Sequence, residues 1–192
     1  SDPDAWWYQR NAVMFLLGGI TPPLHTNDPS YRNFGDNRGP AEEGINDKRP
    51  GKDRFHVSID AGYDIGDPVY SIGPGIVVSS GWSTAFGNYV VVEHDVYGVK
   101  YYSVYAHLGT SKEDSGITVS SGAIVDSNSQ VGTTGNTKGG TENMSPHLHF
   151  EVRTAANVDL AAPNPFQNKY FWGYSQLDWR LYFLDLGSVF GY

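Results

Sequence analysis

The sequence predicts a mainly β fold: an antiparallel β-sheet domain, preceded by a short N-terminal helix and followed by an aromatic C-terminal extension. Three observations lead there. Between residues 55 and 152, short runs rich in Val, Ile and Tyr alternate with Gly, Pro and Ser turns, with no helical period between them. The chain carries 23 glycines and 11 prolines, a composition that favours strands and loops over helices. Its ends differ from this middle, with an amphipathic pattern at the start and a dense cluster of aromatic residues at the finish.

Taken in order, Asp2 and Pro3 form a helix start and Gly18-Gly19 a stop. Trp6, Trp7, Val13, Leu16 and Leu17 fall mostly on one side of the helix between them. From 21 to 52 the residues are mainly Pro, Gly, Asn and Asp, which reads as a long ordered loop wrapping the domain. Strands are expected at 68–72, 76–80, 89–94, 100–108, 117–119, 123–125 and 148–153, joined in antiparallel order. The connections 109–116 and 132–146 are too long for tight turns and are the expected walls of a groove. After Asn164-Pro165 the tail carries Tyr170, Phe171, Trp172, Tyr174, Trp179, Tyr182 and Phe183, too apolar to stay in solvent. The division is therefore 1–52 for helix and wrap, 53–166 for the β domain and 167–192 for a packed extension, with no internal repeat.

Composition excludes several classes of function. The 192 residues suffice for one domain with a sizeable core, and 14% aromatic content argues against disorder. A net charge of -8 and a pI near 5.0, without a Lys/Arg cluster, disfavour nucleic acid and anionic membranes as partners. No apolar run is long enough to span a membrane, and Met14 to Leu17 is far too short. Cysteine is absent, so any metal must be held by His and carboxylates. The start at Ser1-Asp2-Pro3 reads as that of a processed or truncated chain.

The chemistry concentrates in three strands. In His147-Leu148-His149-Phe150 alternation puts the two imidazoles on one face and the apolar pair on the other. His56, Ser58 and Asp60 share a face in the same way, with Val57 and Ile59 behind them. Two imidazole nitrogens and one carboxylate oxygen make a common catalytic zinc set that leaves a fourth position for water. In the run from Lys100 to Leu108, alternation assigns Tyr102, Val104, Ala106 and Leu108 to a buried row. Tyr101, Ser103, Tyr105 and His107 take the opposite one. The fold expectation is thus an antiparallel sheet with a groove holding a metal site.

The ordered set His56-x-x-x-Asp60, Tyr105-Ala106-His107-Leu108 and His147-Leu148-His149-Phe150-Glu151-Val152 resembles the lysostaphin/LytM-type zinc endopeptidases, peptidase family M23. The spacers fit as well: Gly66-Asp67-Pro68-Val69-Tyr70-Ser71, Gly75-Ile76-Val77, Gly87-Asn88-Tyr89-Val90 and Val131-Gly132-Thr133-Thr134-Gly135-Asn136-Thr137. With Phe34-Gly35-Asp36-Asn37-Arg38 at one end and Asn164-Pro165 at the other, the resemblance covers about residues 33 to 166. It implies Zn2+ held by His56, Asp60 and His149, with His107 and His147 as the catalytic pair. It also implies peptidoglycan peptides as substrate and action outside the cytoplasm.

The resemblance has gaps. Ser58 stands where the family often has Gly, and residues 47–54 contain no counterpart to the Tyr that some members place before the first ligand. A non-catalytic member that binds cell wall or regulates an amidase is the alternative, although such members usually lack one of the five positions filled here. Latency, with Asn33, Asn37 or Asn46 closing the metal site, is a less favoured alternative to a simple wrap over the β core, because Asn and Asp are ordinary loop residues. His94 reads as a structural hydrogen bonder and His25 receives no role.

Overall fold

The computed structural model describes residues 22–24, 37–40, 53–56, 58–62, 64–138 and 144–154. The expected N-terminal helix, the aromatic extension, His25, Asn33 and Asn46 lie outside the described residues. Ten strands follow in chain order: β1 (Asn37–Pro40), β2 (Asp53–Phe55), β3 (Ile59–Ala61), β4 (Pro68–Tyr70), β5 (Gly75–Ser83), β6 (Gly87–Val96), β7 (Val99–Leu108), β8 (Ile124–Val125), β9 (Gln130–Thr133) and β10 (Leu148–Thr154). They pair antiparallel throughout, as a six-stranded sheet in the order β3-β10-β7-β6-β5-β8 with two-stranded ribbons β1-β2 and β4-β9. Among the described residues there is no helix, and so none that could cross a membrane.

The sheet is buried on both faces. One face carries Val77, Val90, Val92, Tyr101, Tyr105, Phe150 and Val152, packed with Val69 of β4 and Val131 of β9 into the main core. The β4-β9 ribbon therefore forms a second layer over this face. Leu24, 1% exposed, joins the same core, and the Tyr70 N–H donates to the Pro23 carbonyl at 2.9 Å. The other face carries Tyr89, Val91, Tyr102, Val104 and Ala106 with Phe86. The register places His149 opposite Ala106, Glu151 opposite Val104 and Arg153 opposite Tyr102, so the polar residues of β10 share this second face.

The structure corrects the sequence reading at five places. Tyr101 and Tyr105 lie in the main core, so the row assigned to the chemical face is a second buried row. Leu108, expected beside Ala106, packs with the main core instead. Both changes have one cause at the end of β7: the pairing runs Tyr89 to Ala106 and then Asn88 to Leu108, leaving His107 as an extra residue in the ladder. Its φ of 61° is left-handed, and a bulge of this kind reverses the alternation beyond it. The expected strand 117–119 is reduced to a single bridge between Ile117 and Gly132. Finally, residues 132–133, expected in a loop, belong to β9, and the short β1 and β2 were not foreseen.

The two groove connections are fastened to the strand ends and to each other. Asn88 Nδ2 donates to the carbonyls of Leu108 and Ser111 at 3.0 and 2.7 Å, and Thr137 Oγ1 donates to the Leu108 carbonyl at 2.7 Å. The Asn136 N–H donates to the Gly109 carbonyl at 3.1 Å. Gly109 and Gly135 meet backbone to backbone, so a Cβ on Gly135 would collide with the carbonyl and nitrogen of Gly109. Rigid backbone cannot yield as a side chain can, and Gly135→Ala is expected to cost about 1–3 kcal/mol or more. A urea midpoint equal to that of the wild type would contradict this packing.

Beneath the sheet, His94 joins a buried polar chain. Its Nδ1–H donates to the Pro74 carbonyl at 2.7 Å, and its Nε2 accepts from Ser103 Oγ at 2.7 Å. The Tyr105 hydroxyl lies 3.0 Å from Ser103 Oγ and accepts from the Ile72 N–H at 2.9 Å. Burial holds the imidazole neutral below its ordinary 6.5, outweighing the Pro74 hydrogen bond and the charge of Glu93. Below pH 6.5 the unfolded chain therefore binds a proton that the folded chain refuses, and stability falls as pH falls. His94→Gln should melt lower at neutral pH yet lose less on acidification from pH 6.5. An equal or steeper loss, measured by thermal melts across that range, would contradict the assignment.

Candidate active site

Three strands bring the five predicted residues together on the second face. Asp60 of β3 is the Cα partner of His149 of β10, so the carboxylate and one imidazole meet across a single antiparallel rung. His149 Nδ1 lies 3.0 Å from Asp60 Oδ1. His56, just before β3, brings its Nε2 to 3.1 Å from Asp60 Oδ2. His147 precedes β10 and sets its Nε2 3.9 Å from Asp60 Oδ1. The bulge at the end of β7 turns His107 out of the core row and onto this group, with ring centroids 4.9 Å from His147 and 5.4 Å from His149. All five side chains are buried, His149 the most open at 9%.

Hydrogen bonds fix which nitrogen of each ring is available. A carbonyl oxygen only accepts, so His107 Nδ1–H donates to Thr137 at 2.7 Å, and Nε2 is the nitrogen left for chemistry. His147 Nδ1–H donates to the Ser145 carbonyl at 2.7 Å in the same manner. His149 is held the other way round: its Nε2–H donates to Glu151 Oε1 at 2.8 Å, which leaves Nδ1 toward Asp60. Glu151 is itself braced by Arg153, whose Nε donates to Oε2 at 2.6 Å. A carboxylate behind a histidine is the usual support of a metal-binding imidazole, setting its tautomer and raising its basicity.

The electrostatics follow from burial and proximity. Burial alone would raise Asp60, yet hydrogen bonds and charge from His149 and His56 carry its carboxyl well below the usual carboxylate range. Burial alone would lower His149, and the carboxylates of Asp60 and Glu151 outweigh it and raise the imidazole. Glu151 stays ionised despite burial because Arg153 and His149 lie against it. Burial, reinforced by the neighbouring His149 and His147, pushes His107 down to about 3, so it is neutral over the whole physiological range.

His56, Asp60 and His149 each offer one ligand atom, all within 4.8 Å of one another, and this set could hold a metal ion. The donors fit one. Two imidazole nitrogens and a carboxylate, with no thiolate, match the N/O ligation of Zn2+, and an ion there would displace the protons that His56 and His149 share with Asp60.

Sequence reasoning named these five residues but gave no role to Glu151, Arg153 or the Thr137 and Ser145 carbonyls. Alternation could have found the first two, since residues 147, 149, 151 and 153 fall on one side of a strand. The carbonyls belong to irregular connections and leave no side-chain signal. Of the three asparagines considered for latency, only Asn37 is described, and its backbone pairs with Phe55, next to His56.

Comparison with known proteins identifies the family. The sequence model of peptidase family M23 matches residues 54–161. The peptidoglycan DD-endopeptidase ShyA of Vibrio cholerae is 38% identical in an alignment 118 residues long that covers 57% of this chain and 25% of ShyA. A crystal structure of a zinc containing peptidase from Vibrio cholerae superposes with a TM-score of 0.50 at 29% identity, covering 70% of this chain and 36% of that one. The catalytic domain of lysostaphin, an antimicrobial peptidase from Staphylococcus simulans, gives a TM-score of 0.53 at 23% identity over 86% of this chain and 94% of that one, a likeness of fold alone. The chain spans about a quarter of the length of the curated relatives it matches. With a match over more than half of its residues, and a His/Asp/His cluster seated on the same antiparallel sheet, the chain belongs to peptidase family M23.

Proposed function

We propose that this chain is a zinc-dependent endopeptidase that hydrolyses peptide cross-links or bridges of bacterial peptidoglycan, acting outside the cytoplasm. The observation that carries the reading is the pair His107 and His147, each anchored through Nδ1 on a backbone carbonyl beside the His56, Asp60 and His149 cluster. Family membership supports hydrolysis of a peptide bond, and the peptidoglycan endopeptidase among its relatives supports the choice of substrate. The opposing reading, a non-catalytic member, has no observation in its favour, because every position it would lack is filled.

In this reading His56 Nε2, Asp60 and His149 Nδ1 hold the zinc, and Glu151 with Arg153 keeps the His149 ring in place. When bound, the ion supplies Lewis-acid polarisation of the scissile carbonyl and lowers the pKa of a coordinated water. The histidine pair moves the protons. One neutral imidazole accepts the proton that the attacking water releases, and a proton is then delivered to the departing amine as the C–N bond breaks. The other imidazole, in the form that carries a proton on Nε2, donates to the negative charge that develops on the carbonyl oxygen. His107 suits the accepting role, because its Nδ1–H is committed to the Thr137 carbonyl and its uncharged ring presents a bare Nε2 before reaction. Residues 109–116 and 134–138, tied together at Gly109 and Gly135, are the walls this reading gives to the peptide.

Single substitutions separate the two sets of residues. His149→Ala should lose the metal, measured as zinc per protein after gel filtration. His107→Ala and His147→Ala should keep one zinc each and lose turnover by about 10²–10⁴-fold, the usual contribution of a positioned acid or base. Turnover unchanged in both of the latter would remove them from the chemistry. Purified sacculi with glycine bridges and sacculi with direct cross-links, digested in parallel, should yield new amino termini from at least one kind. If neither releases peptides in the presence of zinc, the proposed substrate is wrong.

A further inference from the structure

Ser58 is the one residue of the metal cluster that the family pattern does not explain. It lies on the same side of the segment as His56 and Asp60, it is 1% exposed, and its hydroxyl sits among the ligand atoms rather than behind them. Ser58 Oγ is 2.6 Å from His56 Nε2 and 3.0 Å from His149 Nδ1. These are the two nitrogens that face Asp60, and the Glu151 hydrogen bond on the far side of His149 reserves its Nδ1 for this side. A hydroxyl within hydrogen-bond reach of both nitrogens lies on the side to which both nitrogens point, beside the Asp60 carboxylate. A glycine in its place would offer no donor there.

We infer that Ser58 is a fourth protein donor to the metal, which turns the His/Asp/His set into two nitrogens and two oxygens. The inference rests on the zinc peptidase reading above. A cation drawn to His56 Nε2 and His149 Nδ1 ends the hydrogen bonds that Ser58 makes to them, and the hydroxyl oxygen then has a lone pair and no better acceptor than the ion. Zinc takes five donors in some catalytic states, so a neutral hydroxyl ligand is compatible with a further position for water. It also adds a hard oxygen donor to the site, which favours ions that accept more oxygen ligands than zinc does.

Cobalt substitution reads the coordination shell directly. The full chain, its Ser58→Ala and Ser58→Gly variants and Ser58→Cys would be stripped of metal, loaded with Co2+ and compared by absorption and by chelator competition. Loss of a donor should strengthen the visible d–d bands of Ser58→Ala and Ser58→Gly and weaken their Co2+ affinity by about tenfold or more, the least expected from disturbing a ligand shell. Ser58→Cys should gain a near-ultraviolet thiolate-to-cobalt charge-transfer band. If the wild type binds one Co2+ while Ser58→Ala keeps its spectrum and affinity and Ser58→Cys shows no such band, the inference fails and the peptidase reading stands. If the wild type binds no Co2+, both fall.

Discussion

The rung that joins Asp60 to His149 is the contact on which the rest of the site depends. Residues 89 apart in sequence become Cα partners across the pairing of β3 with β10, and their side chains emerge on one face at 3.0 Å. A slip of β3 by one residue in that pairing would turn Asp60 toward the main core and bring Ile59 onto the face that carries His149. The register is held against such a slip by Ile59, Ala61, Leu148 and Phe150, all buried in the same core. Apolar packing on one side of the sheet thus fixes the position of charge on the other. Burial without this partnership would leave an isolated carboxylate in a dry site, at a cost of several kcal/mol.

A second device adds His107. A regular β7 would have pointed this imidazole into the layer beneath the sheet, among Tyr101 and Tyr105. One extra residue in the ladder, in a left-handed backbone conformation, reverses its direction and places Leu108 in the core instead. Such a conformation costs on the order of 1–3 kcal/mol for a residue with a side chain. The Phe86 carbonyl accepting from the His107 N–H at 2.8 Å and the Thr137 carbonyl accepting from Nδ1 offset part of that cost. The strain therefore sits at a residue whose imidazole joins the candidate site.

Much of this was legible in the sequence. Alternation in 56–60 and 147–151 identified the correct face for His56, Asp60, His147 and His149, because short strands with one apolar and one polar row have a single sensible orientation. The antiparallel character was legible from composition and spacing, whereas the fastening of the two long connections to each other through Gly109, Gly135 and Asn136 was not. What failed was the assignment of rows in β7. Central strands buried on both faces carry no polar row, and the bulge at His107 is set by pairing with Asn88 and Tyr89, which local sequence does not encode. The short strands β1, β2 and β9 were missed because two- to four-residue pairings lack periodicity. Ser58 was noted only as a departure from a frequent Gly, since nothing in a linear pattern indicates that its hydroxyl meets two imidazoles from opposite ends of the domain.

The central claim is that the imidazoles of His56 and His149 and the carboxylate of Asp60 grip one ion. Anomalous diffraction from crystals grown with zinc, recorded on both sides of the zinc absorption edge, tests it most directly. The account requires a single strong peak at about 2.0–2.2 Å from His56 Nε2, His149 Nδ1 and an Asp60 oxygen. It would be contradicted by a zinc-saturated crystal with no peak there, in which both histidines still donate hydrogen bonds directly to Asp60.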